Sequence, residues 1–162
     1  MALATTLPPR SINWDWVWRD TDRGGHDWAL WRAKADTNLV IGGIKYGFIG
    51  DSWVMQPNVW NFIPDYNQVV VRADQPAFAK PCTGYRFLYQ MPYTKYEGAP
   101  KLYEPIHSDP NYIGLGIALM LNGEGDQLPP IGKYYCVHKA FLNPGPGAVI
   151  QDGGNHLKDT NR

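Results

Sequence analysis

The stretch Trp14-Asp15-Trp16-Val17-Trp18-Arg19-Asp20, met again as Tyr85-Arg86-Phe87-Leu88-Tyr89, decides the fold. Large rings stand at every second position, which is the side-chain period of a β-strand and not of a helix. On that period Trp14, Trp16 and Trp18 share one face, as do Tyr85, Phe87 and Tyr89. Three rings on one face call for a covering sheet, and burying each contributes roughly 1.5–3 kcal/mol. The expectation is that both triplets point inward and form much of the core, the alternative being an exposed aromatic platform for sugars or bases.

Working outward, the chain repeats. After the first triplet come Asp27-Trp28-Ala29-Leu30-Trp31-Arg32 and Asn38-Leu39-Val40-Ile41-Gly42-Gly43. After the second come Lys101-Leu102-Tyr103-Glu104-Pro105 and Asn111-Tyr112-Ile113-Gly114-Leu115-Gly116. Strand-forming runs close each unit, Val69-Val70-Val71-Arg72 and Tyr134-Tyr135-Cys136-Val137-His138. A third copy opens at Val149-Ile150-Gln151-Asp152, with Gly153-Gly154 in the place of Gly24-Gly25. The reading is a single domain over 1–162, with units at about 12–78 and 79–142 and a partial third at 143–162. Seventeen Gly and fourteen Pro cut the chain into pieces too short for many helices. The expected fold is all-β and β-prism-like, an internal pseudo-threefold repeat of antiparallel sheets about a shared axis, with a β-sandwich as runner-up.

Fifteen basic and fifteen acidic residues cancel to zero net charge, and no Lys/Arg-rich stretch offers the patch a nucleic acid needs. No segment reaches the ~20 apolar residues of a helical membrane span. The N-terminal residues lack a basic region followed by an apolar run, so the expectation is a cytoplasmic protein, an unconventionally exported one, or an excised fragment. Cys82 and Cys136 lack metal-ligand spacing and are read as two buried thiols or one bridge.

The run Trp18-Arg19-Asp20-Thr21-Asp22-Arg23-Gly24-Gly25-His26-Asp27-Trp28-Ala29-Leu30-Trp31-Arg32, with the Gly42-Gly43 step after it, resembles a known pattern. It is similar to the vacuolar protein sorting-type β-prism domain family of plants and fungi, whose repeats carry Trp-x-Asp, a Gly-rich loop, Asp, then Trp-Arg-Pro. That resemblance implies relatedness to multivesicular-body-associated β-prisms and to toxin-accessory β-prism modules, and a role in binding membranes, lipids or glycans. The sequence departs from the pattern at Ala33, where the family has Pro, and in the loop Tyr93-Thr94-Lys95-Tyr96-Glu97-Gly98, which lacks the acidic-glycine chemistry.

The candidate ligand site is the pair of acidic, Gly-rich hairpin loops. One set is Asp20, Gly24, Gly25, Asp27 and Trp28; the other is Asp152, Gly153, Gly154, Asn155 and Asp159. Glycines admit a close ligand, carboxylates accept from vicinal hydroxyls, and a ring stacks on a sugar face. The competing reading is a tight turn with each Asp capping backbone amides. Neither the Asp20, Asp22 and Asp27 carboxylates nor the dispersed His26, His107, His138 and His156 have metal-site spacing, so no metal and no cofactor is expected. Nucleophile-elbow, phosphate-loop and dinucleotide motifs are missing, which argues for a non-enzymatic module. Its expected partners are glycans or glycoconjugates, with a membrane surface as the alternative, no nucleic acid, and a homo-oligomer as a further option. The apolar run 46–57 is read as a buried hairpin turning at Gly50-Asp51, or as a membrane-inserted tip or dimer contact.

Overall fold

The structure is a computed structural model and describes residues 2–20, 27–56, 63–90, 101–120 and 128–143. The first half carries β1 (Ala4–Leu7), β2 (Trp14–Asp20), β3 (Asp27–Ala33), β4 (Val40–Ile41), β5 (Ile44–Phe48), β6 (Ser52–Gln56) and β7 (Gln68–Arg72). The second carries β8 (Ala79–Pro81), β9 (Gly84–Gln90), β10 (Lys101–Ile106), β11 (Tyr112–Gly114), β12 (Ala118–Met120) and β13 (Tyr135–His138). The fold is all-β, with short 3-10 turns at Pro9–Ser11 and Lys139–Phe141.

The strands form four sheets, ordered β1-β7-β5-β4, β2-β3-β6, β11-β13-β8 and β12-β10-β9. The second half thus repeats the pairing of the first. In each half the opening strand pairs with the closing one, and a hairpin pairs with the strand that follows the crossover. The register makes Tyr46 equivalent to Tyr112, Gly50 to Gly116, and Val71 to Val137. The sequence match of Asn38–Gly43 with Asn111–Gly116 is therefore out of register. From Ala33 to Tyr46 the chain is six residues longer than from Pro105 to Tyr112, and the surplus forms the β4–β5 hairpin. Gly42 and Gly43, with φ of +58° and +78°, make its two-residue turn, a conformation that L side chains rarely adopt. The third copy falls almost wholly on residues 144–162, outside the described residues.

One core joins the halves. Ile12, Ala33, Tyr46, Phe48 and Val70 of the first meet Cys82, Tyr112, Ala118, Tyr134 and Cys136 of the second. Phe48 also bridges Tyr134 in parallel. Gly50 and Gly116, equivalent in the repeat, touch across this junction. A Cβ on Gly116 would lie 2.3 Å from the Ile49 carbonyl oxygen, and one on Gly50 would lie 2.7 Å from the Ile117 backbone.

The aromatic triplets depart from the expected inward face. Trp14 and Tyr85 pack on the core, and the Trp14 indole donates to the Pro9 carbonyl at 3.0 Å. Trp16 and Phe87 are each 52% exposed, and Tyr89 is 44% exposed; the Trp18 side chain lies outside the described residues. The physical cause is shared. β2 and β9 are both sheet edges, and each carries a one-residue bulge at the equivalent place, Val17 and Leu88. An edge strand has a neighbour on one side only to cover Trp16 and Phe87, and the bulge breaks the period of two for the residues after it. Val17 then packs toward Leu30 and Leu119, the place a ring was expected to fill.

Over its described residues, 46–56, the apolar segment 46–57 does not form a hairpin. Gly50-Asp51 carries the chain from β5 in one sheet to β6 in another, and Tyr46, Phe48 and Val54 are buried. Cys82 and Cys136 are both buried and free.

Candidate functional site

The β2–β3 hairpin positions the first set of candidate residues. Asp20 closes β2 opposite Trp28 of β3, while Asp27 pairs with Gln56 of β6. The backbone thus gathers Asp20, Asp27 and Trp28 at one end of the β2-β3-β6 sheet. Gly24 and Gly25 of that loop, and Asp152, Gly153, Gly154, Asn155 and Asp159 of the other set, lie outside the described residues. Along the same hairpin stands the exposed Trp16, paired with Trp31. Its equivalent, Phe87, pairs with Tyr103, and those two rings meet edge to face with centroids 5.7 Å apart. Leu88 and Tyr89, next on the same strand, are 43% and 44% exposed. Each hairpin therefore presents exposed aromatic surface at an equivalent place, closer to the platform alternative than to the expected inward face.

The cross-strand pair at the base of each hairpin carries opposite charges in swapped order. Asp15 faces Arg32 in the first unit and Arg86 faces Glu104 in the second. Arg86 and Glu104 form an ion pair. Arg32 instead turns into the junction and grips Asp51, with Nε to Oδ1 at 2.9 Å and Nη2 to Oδ2 at 3.0 Å. Asp51 is fully buried and also accepts from the Leu119 amide at 2.9 Å and from the Tyr134 hydroxyl. Arg32 donates further to the Leu119 carbonyl at 2.7 Å. Burial and the Asp51 carboxylate both hold the Tyr134 hydroxyl well above its ordinary pKa. Burial works against the Arg32 charge, but hydrogen bonds and attraction from Asp51 outweigh it and raise its pKa. Every lone pair of this carboxylate has a donor, so the cluster fastens the two units and offers no atom to a substrate.

A second concave feature lies between the units. It is a cleft of about 600 Å³ floored by Lys45–Phe48, walled on one side by 34–40 and on the other by residues from Pro130 to Tyr135. His107 and His138, the described histidines, do other work. His107 Nδ1 accepts from the Asp109 amide at 2.9 Å, and His138 Nδ1 from the Ala140 amide at 3.1 Å. Both flank Tyr112 in a row of tilted and edge-on rings. Among the described residues no three His, Cys, Asp or Glu side chains converge as a metal site.

GNIP1Aa from Chromobacterium piscinae, a solved structure, shares this architecture, with a TM-score of 0.58 and 17% identity over 85% of the present chain. The chain spans 24% of that protein's length. Together with the paired antiparallel sheets, the likeness makes the fold all-β and β-prism-like. The chain matches no protein-family model and no curated protein sequence.

Proposed function

We propose that this chain is a non-enzymatic recognition module that binds carbohydrate through the ends and exposed faces of its aromatic hairpins. The observation that carries the reading is the equivalent exposure of Trp16 and Phe87, both 52%, on edge strands bulged at the same position. A ring kept half in water at matched positions of two units lacks the burial that would explain it as scaffold. Sugars present apolar faces that stack on such rings, and carboxylates such as Asp20 and Asp27 accept from their hydroxyls. Gly24, Gly25 and Trp28 complete the first site; Asp152, Gly153, Gly154, Asn155 and Asp159 complete a second in the third copy. The β-prism-like fold and the resemblance to the vacuolar protein sorting-type family support a binding or accessory module, with glycoconjugates at a surface as partners.

A glycan array tests this, using the unmodified chain beside Trp16→Ala, Asp27→Ala and Asp159→Ala. The expected result is binding to a restricted group of glycans that each substitution weakens. Uniform background across the array removes the carbohydrate reading. The lipid-binding alternative draws on the exposed Phe87, Leu88 and Tyr89 of β9. Flotation with plain phosphatidylcholine/phosphatidylserine vesicles, containing no glycolipid, would favour that alternative.

A further inference from the structure

The cleft between the units breaks the repeat. Its outer wall, 34–40, belongs to the stretch that the first unit holds in excess of the second. Its floor passes Gly47, which the second unit replaces with Ile113, and the Tyr135 ring lies so close that a Cβ on Gly47 would sit 2.3 Å from it. The opposite wall turns at Gly132, where φ is +92°, and that turn brings Lys133 to the cleft. An insertion, a glycine in the floor and a glycine turn thus coincide in one place. The equivalent surface of the second unit lacks the first two.

Chemistry inside the cleft is divided. Leu39, Val40, Phe48 and Pro130 line it, and so do three lysines, Lys34, Lys45 and Lys133. Lys133 is half-buried, and its Nζ donates to the Ala33 carbonyl at 2.5 Å. An ammonium has three donors, so this bond fixes the group and leaves two protons for another acceptor. Burial, and then the nearby Arg32 charge, lower the Lys133 pKa, and attraction from Asp51, Asp15 and Asp36 offsets this only in part. Lys34 leans on Asp15 at 3.5 Å, both of them well exposed. Lys45 is exposed, and Asp36 is the one acidic side chain among the lining residues. At about 600 Å³ the cleft falls within the roughly 300–1,000 Å³ of small-molecule sites.

We infer that this cleft is a binding site, separate from the hairpins, for a small amphipathic anion. Its carboxylate or phosphate head sits between Lys133 and Lys45, and its hydrocarbon body lies along Leu39, Phe48 and Tyr135. The inference does not depend on carbohydrate binding. A chain that ignores every glycan can still bind such an anion, and the reverse also holds.

Amide-resolved NMR titration of the whole chain with octanoate, octyl phosphate, octylammonium and octanol tests it. The two anions are expected to shift the amides of Leu39, Gly47 and Lys133 and to saturate. A preference for either anion supports the inference and separates a carboxylate source from a phosphate source. Lys133→Gln and Lys45→Gln are each expected to weaken octanoate about tenfold, the loss of one charge-assisted hydrogen bond, while Lys133→Arg retains binding. Lys45→Gln decides the matter if Lys133→Gln unfolds, because Lys45 is exposed and its removal leaves the core intact. Octanol or octylammonium binding as tightly as octanoate overturns the inference. So does octanoate affinity unchanged in Lys45→Gln, or the absence of shifts with either anion.

Discussion

Replacing Asp51 with Ala removes the acceptor at the centre of the junction between the units. The carboxylate takes both Arg32 nitrogens at 2.9 and 3.0 Å, the Leu119 amide at 2.9 Å and the Tyr134 hydroxyl. Without it a guanidinium only 16% exposed loses its counter-charge, and two other donors lose their acceptor. Breaking a buried ion pair from one side costs about 3–5 kcal/mol. Arg32 keeps some access to water and its bond to the Leu119 carbonyl, which places the loss near the lower end, about 3–4 kcal/mol. In a domain of this length that corresponds to a fall in Tm of roughly 6–16 °C. Urea unfolding of Asp51→Ala, Arg32→Ala and the double variant measures the loss and the coupling. The double variant is expected to cost less than the sum of the singles by about 1–3 kcal/mol. Amide exchange should quicken at Leu119 and at Tyr134, across the junction from the substitution. A loss below about 1 kcal/mol in Asp51→Ala would refute the assignment of this pair as the fastening between units.

Three further outcomes follow from the same geometry. Gly116→Ala, whose Cβ meets a carbonyl oxygen at 2.3 Å, should lower stability by about 1–3 kcal/mol in urea, whereas Gly84→Ala, with nothing nearer than 3.6 Å, should not; equal midpoints would contradict the close approach. Burial and the neighbouring Cys82 push the Cys136 thiol up to about 12, so in the native state at pH 8 neither cysteine should be alkylated by iodoacetamide, while in urea both are; modification in native buffer would contradict their burial. The hydrogen bond from Arg72 holds the Asp74 carboxyl below its usual range, and the Asn111 amide does the same for Asp109. Because both folded values are depressed, their stabilisation is present above the unfolded carboxylate pKa of about 3.9 and is lost as pH falls through the folded values. Thermal melts should therefore decline on acidification below about pH 4, less steeply in Asp74→Asn/Asp109→Asn; an unchanged acid limb in that variant would count against the shifts.

The alternation of rings was enough to read strands and an all-β fold from the chain, because period two has no helical counterpart. Which rings were buried was not readable from it. Val17 and Leu88 are ordinary strand residues, and nothing local announces that each is the unpaired residue of a bulge on an edge strand. The repeat was visible, but its register was displaced by the similarity of Asn38–Gly43 to Asn111–Gly116; pairing partners, which depend on distant residues, correct it. Asp51 looked like a turn residue beside Gly50. A lone carboxylate within the apolar run 46–55 was the available sign of a buried ion pair, yet its partner Arg32 lies on another strand. The Asp/Gly hairpin was legible as a candidate because its residues are contiguous. The lysine-lined cleft was not, since Lys45 and Lys133 are far apart in sequence and come to one space only because Phe48 pairs with Tyr134 across the junction.

The central claim is that the exposed rings on the two hairpins meet a sugar face. Its most direct measurement is NMR of the side-chain signals of Trp16 and Phe87, each assigned by substitution, during titration with a glycan drawn from the array. These ring signals are expected to shift and saturate together with the backbone amides of Asp20 and Asp27. Saturable glycan binding that leaves both ring signals unmoved would contradict it.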